Sequence, residues 1–266
     1  MAAYLDRILA AHRARAASDP RRLDELVEAA LGAPPALPFA SALTAEEGLA
    51  VIAEVKRRSP SKGDLAPDLV PGVLAKSYAD GGAACLSVLT DAEFFGALPD
   101  DLAEARYAAE LPTLRKDFAV SAHDVCDARL MGADAVLLLA SALDDHELAL
   151  FHDLALGIGM EPLVEVHDEE ELARALAVGA ALIGVNQRDL VTFEVDPERA
   201  LRLASTVPEG VVKVAESGIA GSEDAARLAQ AGYDAVLVGE TLVTSPDPAA
   251  AVAELRCGTW GAGPCG

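Results

Sequence analysis

The segment IAEVKRRSPSKG (residues 52–63) joins a short apolar strand, residues 51–55, to a basic loop rich in turn residues that ends at Gly63. Glu54 and Lys56 are two residues apart, so on an extended backbone their side chains leave from the same face and can meet. An acid–base pair with this spacing is also common on an ordinary solvated rim. Whether this pair marks a functional site or an ordinary surface therefore depends on which residues lie at the ends of the other strands.

Apolar runs alternate with Ala-, Leu- and Glu-rich helical patterns along the rest of the chain. Together with residues 51–55 they predict eight strands, at 51–55, 84–89, 112–116, 134–140, 161–166, 181–185, 211–216 and 234–239. Strands this apolar are buried on both faces, which is typical of parallel βα units. We predict an α/β fold, a (β/α)8 TIM barrel. A doubly wound open sheet is the alternative, but no G-x-G-x-x-G follows the first strand.

A repeat in the glycines supports eight units. Gly82, Gly132, Gly179 and Gly232 each end a helical pattern and lead directly into an apolar strand, at intervals of roughly 50 residues, about two βα units. We interpret these glycines as helix C-caps that report the architecture and carry no chemistry.

Length and composition limit the possible functions. The chain has 266 residues, a mass of 27.4 kDa, 52% hydrophobic residues and a formal net charge of −22. That charge repels phosphate backbones, so we expect no nucleic-acid or membrane partner, and a local positive pocket for any anionic ligand. No signal peptide or membrane-crossing run is present, which predicts a cytoplasmic protein. The four cysteines lack zinc-type spacings, and we expect them to be reduced and non-catalytic.

The barrel pattern leaves the two ends of the chain outside it. Residues 3–32 are helical in pattern, with a break near Ser18-Asp19-Pro20, and Pro34-Pro35 stops them. We predict an N-terminal helical extension packed on the barrel at 1–48, the barrel at 49–256 and a flexible Gly-rich tail at 257–266.

Active residues of parallel barrels lie at the carboxyl ends of the strands. In this chain those ends are polar: Glu54, Lys56, Thr90, Lys116, Glu165, Asn186, Arg188, Glu216, Ser217, Gly218, Gly239 and Glu240. Several carboxylates and two lysines in one low-dielectric mouth would perturb each other's ionisation, which is how general acids and bases arise. A buried ion pair remains the alternative for any single member.

Two ligand-binding features accompany these ends. Ser217-Gly218 and Gly239-Glu240 follow the last two strands, where barrels often bind phosphate through backbone N–H groups, and Ser59 can add a hydroxyl. Four apolar side chains could line a pocket nearby, although plain core or loop packing would also explain them: Phe95, Phe118, Leu137 and Leu190.

Five motifs follow one another along the chain: residues 52–63, LRKDF at 114–118, EPLVEV at 161–166, GVNQRDL at 184–190 and VAESGI at 214–219. In this order they resemble the indole-3-glycerol phosphate synthase family over nearly the whole chain. The resemblance implies a (β/α)8 barrel that converts 1-(2-carboxyphenylamino)-1-deoxyribulose 5-phosphate to indole-3-glycerol phosphate, carbon dioxide and water, a carboxy-lyase reaction, with no cofactor or metal.

The resemblance also implies roles for residues. Lys116 would be the general acid at the substrate ketone and Glu165 the base for dehydration, while Lys56 would lie near the substrate carboxylate with Glu54 orienting it. Three polar groups would surround the reacting centre: Asn186, Arg188 and Glu216. Ser59, Ser217, Gly218, Gly239 and Glu240 would hold the phosphate, and Phe95, Phe118, Leu137 and Leu190 the anthranilate ring.

Two other functions fit a phosphate-binding barrel. One is a sugar-phosphate isomerase or aldolase. An aldolase commonly uses a Schiff-base lysine on the sixth strand, where this chain has Asn186, so we rank this function below the synthase. A non-catalytic phosphate-ligand sensor would not need both Lys116 and Glu165. We expect a small anionic substrate and a monomer or weak homo-oligomer.

Overall fold

Eight parallel strands close into a barrel in the computed structural model, which describes residues 4–45, 48–60 and 62–257. Their bounds are β1 Ala50–Val55, β2 Cys85–Leu89, β3 Thr113–Lys116, β4 Ala135–Leu139, β5 Glu161–Val166, β6 Leu182–Asn186, β7 Val212–Glu216 and β8 Ala235–Val238. Each strand pairs with its neighbours in chain order, and β1 closes the ring by pairing with both β2 and β8. The predicted barrel is confirmed, and every predicted strand differs from the observed one by one residue at most at either end.

Helices surround the barrel and also cover its two ends. In chain order they are α1 Tyr4–Ala17, α2 Leu23–Leu31, α3 Phe39–Leu43, α4 Pro71–Asp80, α5 Ala92–Phe95, α6 Asp101–Ala109, α7 Ala122–Leu130, α8 Asp145–Gly157, α9 Glu169–Ala177, α10 Glu198–Leu203, α11 Ser222–Gln230, α12 Glu240–Val243 and α13 Pro248–Cys257. A 3₁₀ turn, Ala140–Ala142, follows β4, and a two-residue antiparallel pair, Arg58–Ser59 with Gly63–Asp64, shapes the loop after β1.

The repeated glycines have the backbone that the sequence indicates. Gly82, Gly132, Gly179 and Gly232 all have φ between +80° and +91°, the left-handed conformation that ends a helix without a Cβ penalty. Each one turns the chain from a helix into the next even-numbered strand, so the repeat reports architecture.

The amino-terminal end of the barrel is closed by α3. Phe39 and Leu43 are almost completely buried and contact the inward-facing apolar side chains of the strands, such as Ile52 and Leu114. Two carboxylates at the strand starts fix the segment, because Asp134 Oδ1 accepts from the Leu37 amide at 2.7 Å and a Glu161 oxygen accepts from the Ala40 amide at 2.8 Å. This end of the barrel is therefore apolar inside and hydrogen-bonded at its rim.

Helix α1 lies at the opposite end, above the carboxyl ends of the strands. The Tyr4 ring meets Phe94 and Phe193, at centroid distances of 5.8 and 5.6 Å. Phe94 belongs to the short helix α5 that follows β2, and Phe193 to the loop that follows β6. Helix α2 packs instead against α7 on the side of the barrel. The predicted division into extension, barrel and tail stays a prediction, and residues 258–266 of the predicted tail lie outside the described residues.

Among the described residues, no helix combines the length and apolar composition that crossing a bilayer requires. Cys85 and Cys126, the two cysteines whose side chains the structure describes, are buried free thiols. Burial raises the pKa of both thiols, which keeps them uncharged at neutral pH.

Candidate active site

A cavity of about 450 Å³ opens at the carboxyl ends of the strands. All but one of the residues that the sequence predicts at this end line the cavity: Glu54, Lys56, Ser59, Phe95, Lys116, Phe118, Leu137, Glu165, Asn186, Arg188, Leu190, Glu216, Ser217, Gly218, Gly239 and Glu240. Thr90 is the exception, and its hydroxyl donates to Asp117 Oδ2 at 2.6 Å instead. The lining comes from all eight strands or the loops after them, so only the closed barrel brings these residues together.

Lys116 lies at the centre of the polar groups. Its Nζ is 2.9 Å from Glu165 Oε2 and 3.4 Å from Glu216 Oε2, so strands β3, β5 and β7 meet at this ammonium group. Burial alone would lower the pKa of Lys116, but the negative charges of Glu165 and Glu54, together with the adjacent Glu216 carboxyl group, raise it above its ordinary value. Lys116 is therefore protonated at neutral pH and can donate a proton.

Glu165 is held from two sides inside the mouth. Its Oε1 accepts a hydrogen bond from Asn186 Nδ2 at 2.8 Å, while Oε2 faces Lys116. Burial would raise the pKa of Glu165, but the charges of Lys116 and His167 and the Asn186 hydrogen bond lower it overall. An almost completely buried carboxylate is thus kept ionised, as a base must be.

The remaining acid–base pair comes from β1. Lys56 Nζ donates to Glu54 Oε1, as the two-residue spacing predicts, and both side chains face the cavity. Tyr78 supports the strand from outside, since its hydroxyl donates to the Glu54 backbone carbonyl at 3.1 Å.

The mouth contains two lysines, Lys116 and Lys56, and three glutamates, so it has one more acidic group than basic groups. Glu216 is the acidic group without a balancing lysine. It is buried, and its Oε1 has no hydrogen-bond partner among the residues described. Burial and the nearby charges of Glu165 and Glu54 raise the pKa of Glu216, against the lowering effect of Lys116. A proton on Glu216 leaves the five groups electrically neutral, which suits a mouth that admits an anion.

Asn186 and Arg188 link β6 to the same centre. The Asn186 Oδ1 accepts from the Arg188 amide at 3.0 Å, so the asparagine orients both the loop and Glu165. The Arg188 guanidinium donates to the Phe193 carbonyl at 3.0 Å while it lines the cavity.

The loops after β7 and β8 form the other end of the cavity. Ser217 and Gly218 both have left-handed backbones, with φ of 66° and 71°, and Gln187 Nε2 donates to the Ser217 carbonyl at 2.7 Å. Gly239 has no room for a side chain, because a Cβ there would lie 2.2 Å from Glu54 Oε1. The left-handed turn after β7, and Gly239 directly before the short helix α12, bring backbone N–H groups to this end of the cavity, where an anion can accept from them.

The apolar wall contains residues that sequence reasoning missed. The rings of Phe95 and Phe118 are 6.3 Å apart, and Leu137 and Leu190 lie in the same lining as predicted. Helix α1 adds three further lining residues, Tyr4, Leu5 and Ile8. Leu5 and Ile8 share one face of the predicted helix, which signals burial but does not say against what.

A buried ion-pair network fastens α1 to this wall. His12 Nε2 lies 2.9 Å from Asp91 Oδ2 and 3.7 Å from Asp117 Oδ1, and its ring is 5.6 Å from that of Phe118. In the part of the chain that the structure describes, these three groups are also the one cluster close enough to hold a metal ion. Arg15 and Arg115 already hydrogen-bond the two carboxylates, so the cluster is satisfied as an ion pair.

Known proteins resemble this chain over most of its length. A family model described as indole-3-glycerol phosphate synthase matches residues 5–255. A protein of that name from Mycobacterium ulcerans (strain Agy99) is 49% identical over 256 residues, covering 96% of this chain and 94% of the relative. Another, from Nocardioides sp. (strain ATCC BAA-499 / JS614), is 55% identical over 205 residues, covering 77% and 79%.

Solved structures resemble the fold at much lower identity. A 3-hexulose-6-phosphate synthase superimposes with a TM-score of 0.63 at 18% identity, covering 79% of this chain and 99% of that one. A thiamine phosphate pyrophosphorylase from Pyrococcus furiosus gives 0.61 at 17% identity, covering 84% and 98%. At this level of identity the likeness concerns the barrel alone.

Proposed function

This chain belongs to the indole-3-glycerol phosphate synthase family, and we propose that Lys116 is the acid and Glu165 the base of its reaction. The enzyme is a carbon–carbon lyase of tryptophan biosynthesis. It closes the pyrrole ring of 1-(2-carboxyphenylamino)-1-deoxyribulose 5-phosphate and releases carbon dioxide and water. The observation that carries the assignment is the contact of Lys116 with Glu165 and Glu216 at the centre of the cavity.

Lys116 acts first. As the aromatic carbon attacks the ketone carbon, negative charge develops on the ketone oxygen, and the ammonium group donates a proton to it. Proton donation of this kind typically accelerates a reaction about 10²- to 10⁴-fold. The three carboxyl groups around Lys116 keep it protonated until the substrate arrives.

Loss of carbon dioxide follows, and the electron pair of the broken carbon–carbon bond restores the aromaticity of the ring. Lys56 lies beside the leaving carboxylate, and Glu54 holds the lysine in place. A dry pocket lets the anion leave as neutral carbon dioxide, since a single lysine orients the carboxylate without the extra stabilisation that water would supply.

Glu165 then acts in the dehydration. The hydroxyl formed from the ketone leaves as water after protonation, with Lys56 as a second acid, and Glu165 removes the proton whose loss completes the indole. Asn186 orients Glu165 for this step, and Glu216 and Arg188 complete the polar surroundings. Because Glu165 is ionised and buried, its carboxylate is shielded from bulk water and stays able to accept this proton.

The two ends of the substrate occupy the two ends of the cavity. The phosphate binds at the turns after β7 and β8, to Ser217, Gly218, Gly239 and Glu240, with Ser59 from the loop after β1. The anthranilate ring lies between Phe95, Phe118, Leu137 and Leu190. Anchoring both ends places the reacting carbon atoms next to Lys116, which reduces the entropy cost of ring closure.

The setting of the enzyme is part of the same proposal. The formal charge of −22 favours a small anionic substrate held by local groups over nucleic acid or an anionic membrane. We place the protein in the cytoplasm as a monomer or weak homo-oligomer, with residues 1–48 as a helical extension packed on a barrel at 49–256 and 257–266 as a tail.

Fluorescence of the indole product tests the function. Purified protein mixed with the carboxyphenylamino-deoxyribulose phosphate is expected to produce indole fluorescence. A K116M variant is expected to lose the signal, whereas K76M, which removes an exposed lysine on α4, is expected to retain it. Folded wild-type protein without fluorescence, or equal signals from K116M and K76M, would contradict the proposal.

A further inference from the structure

His167 follows β5 and lies just behind the proposed base. Its Nε2 is 3.6 Å from Glu165 Oε1, and its Nδ1 is 3.0 Å from Glu171 Oε2 on α9. The His167 backbone amide also donates to that Glu171 oxygen, at 2.8 Å. His167 is absent from the cavity lining, so it reaches the chemistry only through Glu165.

The contacts define the state of the imidazole. Glu171 can only accept, so Nδ1 carries a hydrogen, and Nε2 faces Glu165 with no hydrogen-bond partner among the described residues. The charged groups around the ring are Glu165 from β5, Glu171 from α9 and Arg199 from α10. Burial and Arg199 oppose a charge on the ring, but the two carboxylates outweigh them and raise the pKa of His167.

We propose that His167 is a positioning residue for Glu165. The imidazolium form of His167 keeps the Glu165 carboxylate ionised after Lys116 has given its proton to the substrate. The inference rests on the proposed roles of Lys116 and Glu165. It adds a residue outside the cavity to the machinery of the reaction.

The need for a second cation follows from the proposed sequence of steps. Lys116 is the ammonium group in contact with Glu165 at 2.9 Å, and it becomes a neutral amine once the ketone oxygen has taken its proton. Glu165 is then a carboxylate exposed by only 1%, with Glu216 across the mouth. The other ammonium group of the mouth, Lys56, is paired with Glu54. Without a further positive charge, burial would favour the protonated form of Glu165, which cannot serve as a base in the dehydration. His167 does not contact the substrate, so the chemistry does not consume its charge.

A purely structural role would look different in the pH profile. The His167 and Glu171 contact also closes the first turn of α9, where Asp168 Oδ1 accepts from the Glu171 amide at 2.8 Å. Loss of that turn alone would lower stability, or turnover at every pH by the same factor. Loss of a charge beside Glu165 raises the pKa of the base in the enzyme–substrate complex, so the acidic limb of kcat moves to higher pH.

The test compares H167Q with wild type across pH. Glutamine can still hydrogen-bond Glu171 but carries no charge. The acidic limb of kcat is expected to move up by about one pH unit or more, the usual effect of a charge at this range, with KM unchanged. H167K, which restores a positive charge, is expected to move the limb back, and E170Q, an exposed carboxylate on the same turn of α9, is expected to leave it in place.

Each alternative outcome is distinguishable. Folded H167Q with an unshifted limb overturns the inference, provided that E165Q is inactive; if E165Q retains turnover, the proposed base itself is wrong. Nitrogen NMR of His167 in the wild-type enzyme gives a second test that needs no variant. A cationic ring that persists above pH 6.5 supports the inference, and an imidazole that is neutral at and below that pH overturns it.

Discussion

The inward-facing side chains of the barrel change from apolar to charged between one inward position of a strand and the next. Towards the amino-terminal end they are Ile52, Leu114, Leu163 and Val214, which belong to the same buried apolar cluster as Phe39 and Leu43. Two residues further along the same four strands, the inward positions are Glu54, Lys116, Glu165 and Glu216. The strand period of two places one set directly above the other. Apolar packing at one end therefore supports a cluster of buried charges at the other.

This difference separates stability from chemistry along the barrel axis. Apolar side chains below the charges exclude water from beneath, which strengthens every electrostatic interaction in the mouth. The buried charges above contribute little net stability, because desolvation offsets their attraction. Changes at α3 should thus affect folding and leave the chemistry alone, while changes at the mouth should do the reverse.

The largest expected effect is at the apolar end. F39A removes a completely buried ring that closes the amino-terminal end of the barrel, and we expect the free energy of unfolding to fall by about 3–5 kcal/mol. Denaturant titration measures this, and kcat of the folded fraction should stay close to wild type. L31A, at a residue exposed by 61%, is the control and should cost little. A large loss of kcat in folded F39A would mean that the two ends are coupled.

A smaller effect is expected at the mouth from G239A. The added Cβ would lie 2.2 Å from Glu54 Oε1 and 2.9 Å from Lys56 Nζ, so this pair has to shift away from the reacting carboxylate. Misplacement of about 1 Å can cost roughly 10²-fold, and we expect kcat/KM to fall by about 10- to 100-fold with little change in melting temperature. G157A, where a Cβ meets nothing within 4 Å, should leave both unchanged. Equal kinetics for the two variants would remove Gly239 from the site.

The smallest effect at neutral pH is expected for E216Q. If Glu216 already holds a proton, glutamine replaces it with little change, and turnover at pH 7 should stay within about threefold of wild type. The folded protein keeps a proton that the unfolded chain loses above about 4.5, the ordinary value for glutamate. The contribution of Glu216 to the free energy of unfolding therefore falls as pH rises from there through its raised pKa.

Measurements of the free energy of unfolding across pH test whether this contribution falls as pH rises. Relative to E216Q, wild type should lose stability as pH rises from 5 to 8. E223Q, an exposed carboxylate on α11, should follow wild type. A stability difference between wild type and E216Q that does not change with pH would show that Glu216 is ionised in the fold.

The sequence was sufficient for features that depend on local pattern and on strand count. The eight apolar runs predict the barrel, and closure alone then places Lys116, Glu165 and Glu216 at one end, since each lies at the last or the second-last position of its strand. The glycine turns after β7 and β8 were found in the same way. These predictions succeed because parallel topology fixes which strand ends meet.

Features that depend on tertiary docking were not accessible. The helical pattern of residues 3–32 does not say that α1 lies over the mouth while Phe39 of α3 closes the opposite end. His12 has no sequence neighbour that marks it as a partner of Asp91, which is 79 residues away. His167 lies two residues after Glu165 and so shares its face, a signal like that of Glu54 and Lys56, but its partner Glu171 depends on the start of α9.

The central claim is that Lys116 and Glu165 serve different steps, and single-turnover kinetics with detection of carbon dioxide tests it most directly. K116M keeps the stem and removes the proton donor, so cyclisation should slow and carbon dioxide release should fall by about 10²-fold or more. E165Q keeps size and polarity but cannot accept a proton, so carbon dioxide should appear while indole formation stalls and an intermediate accumulates. If E165Q blocks carbon dioxide release as completely as K116M, the assignment of separate steps is wrong.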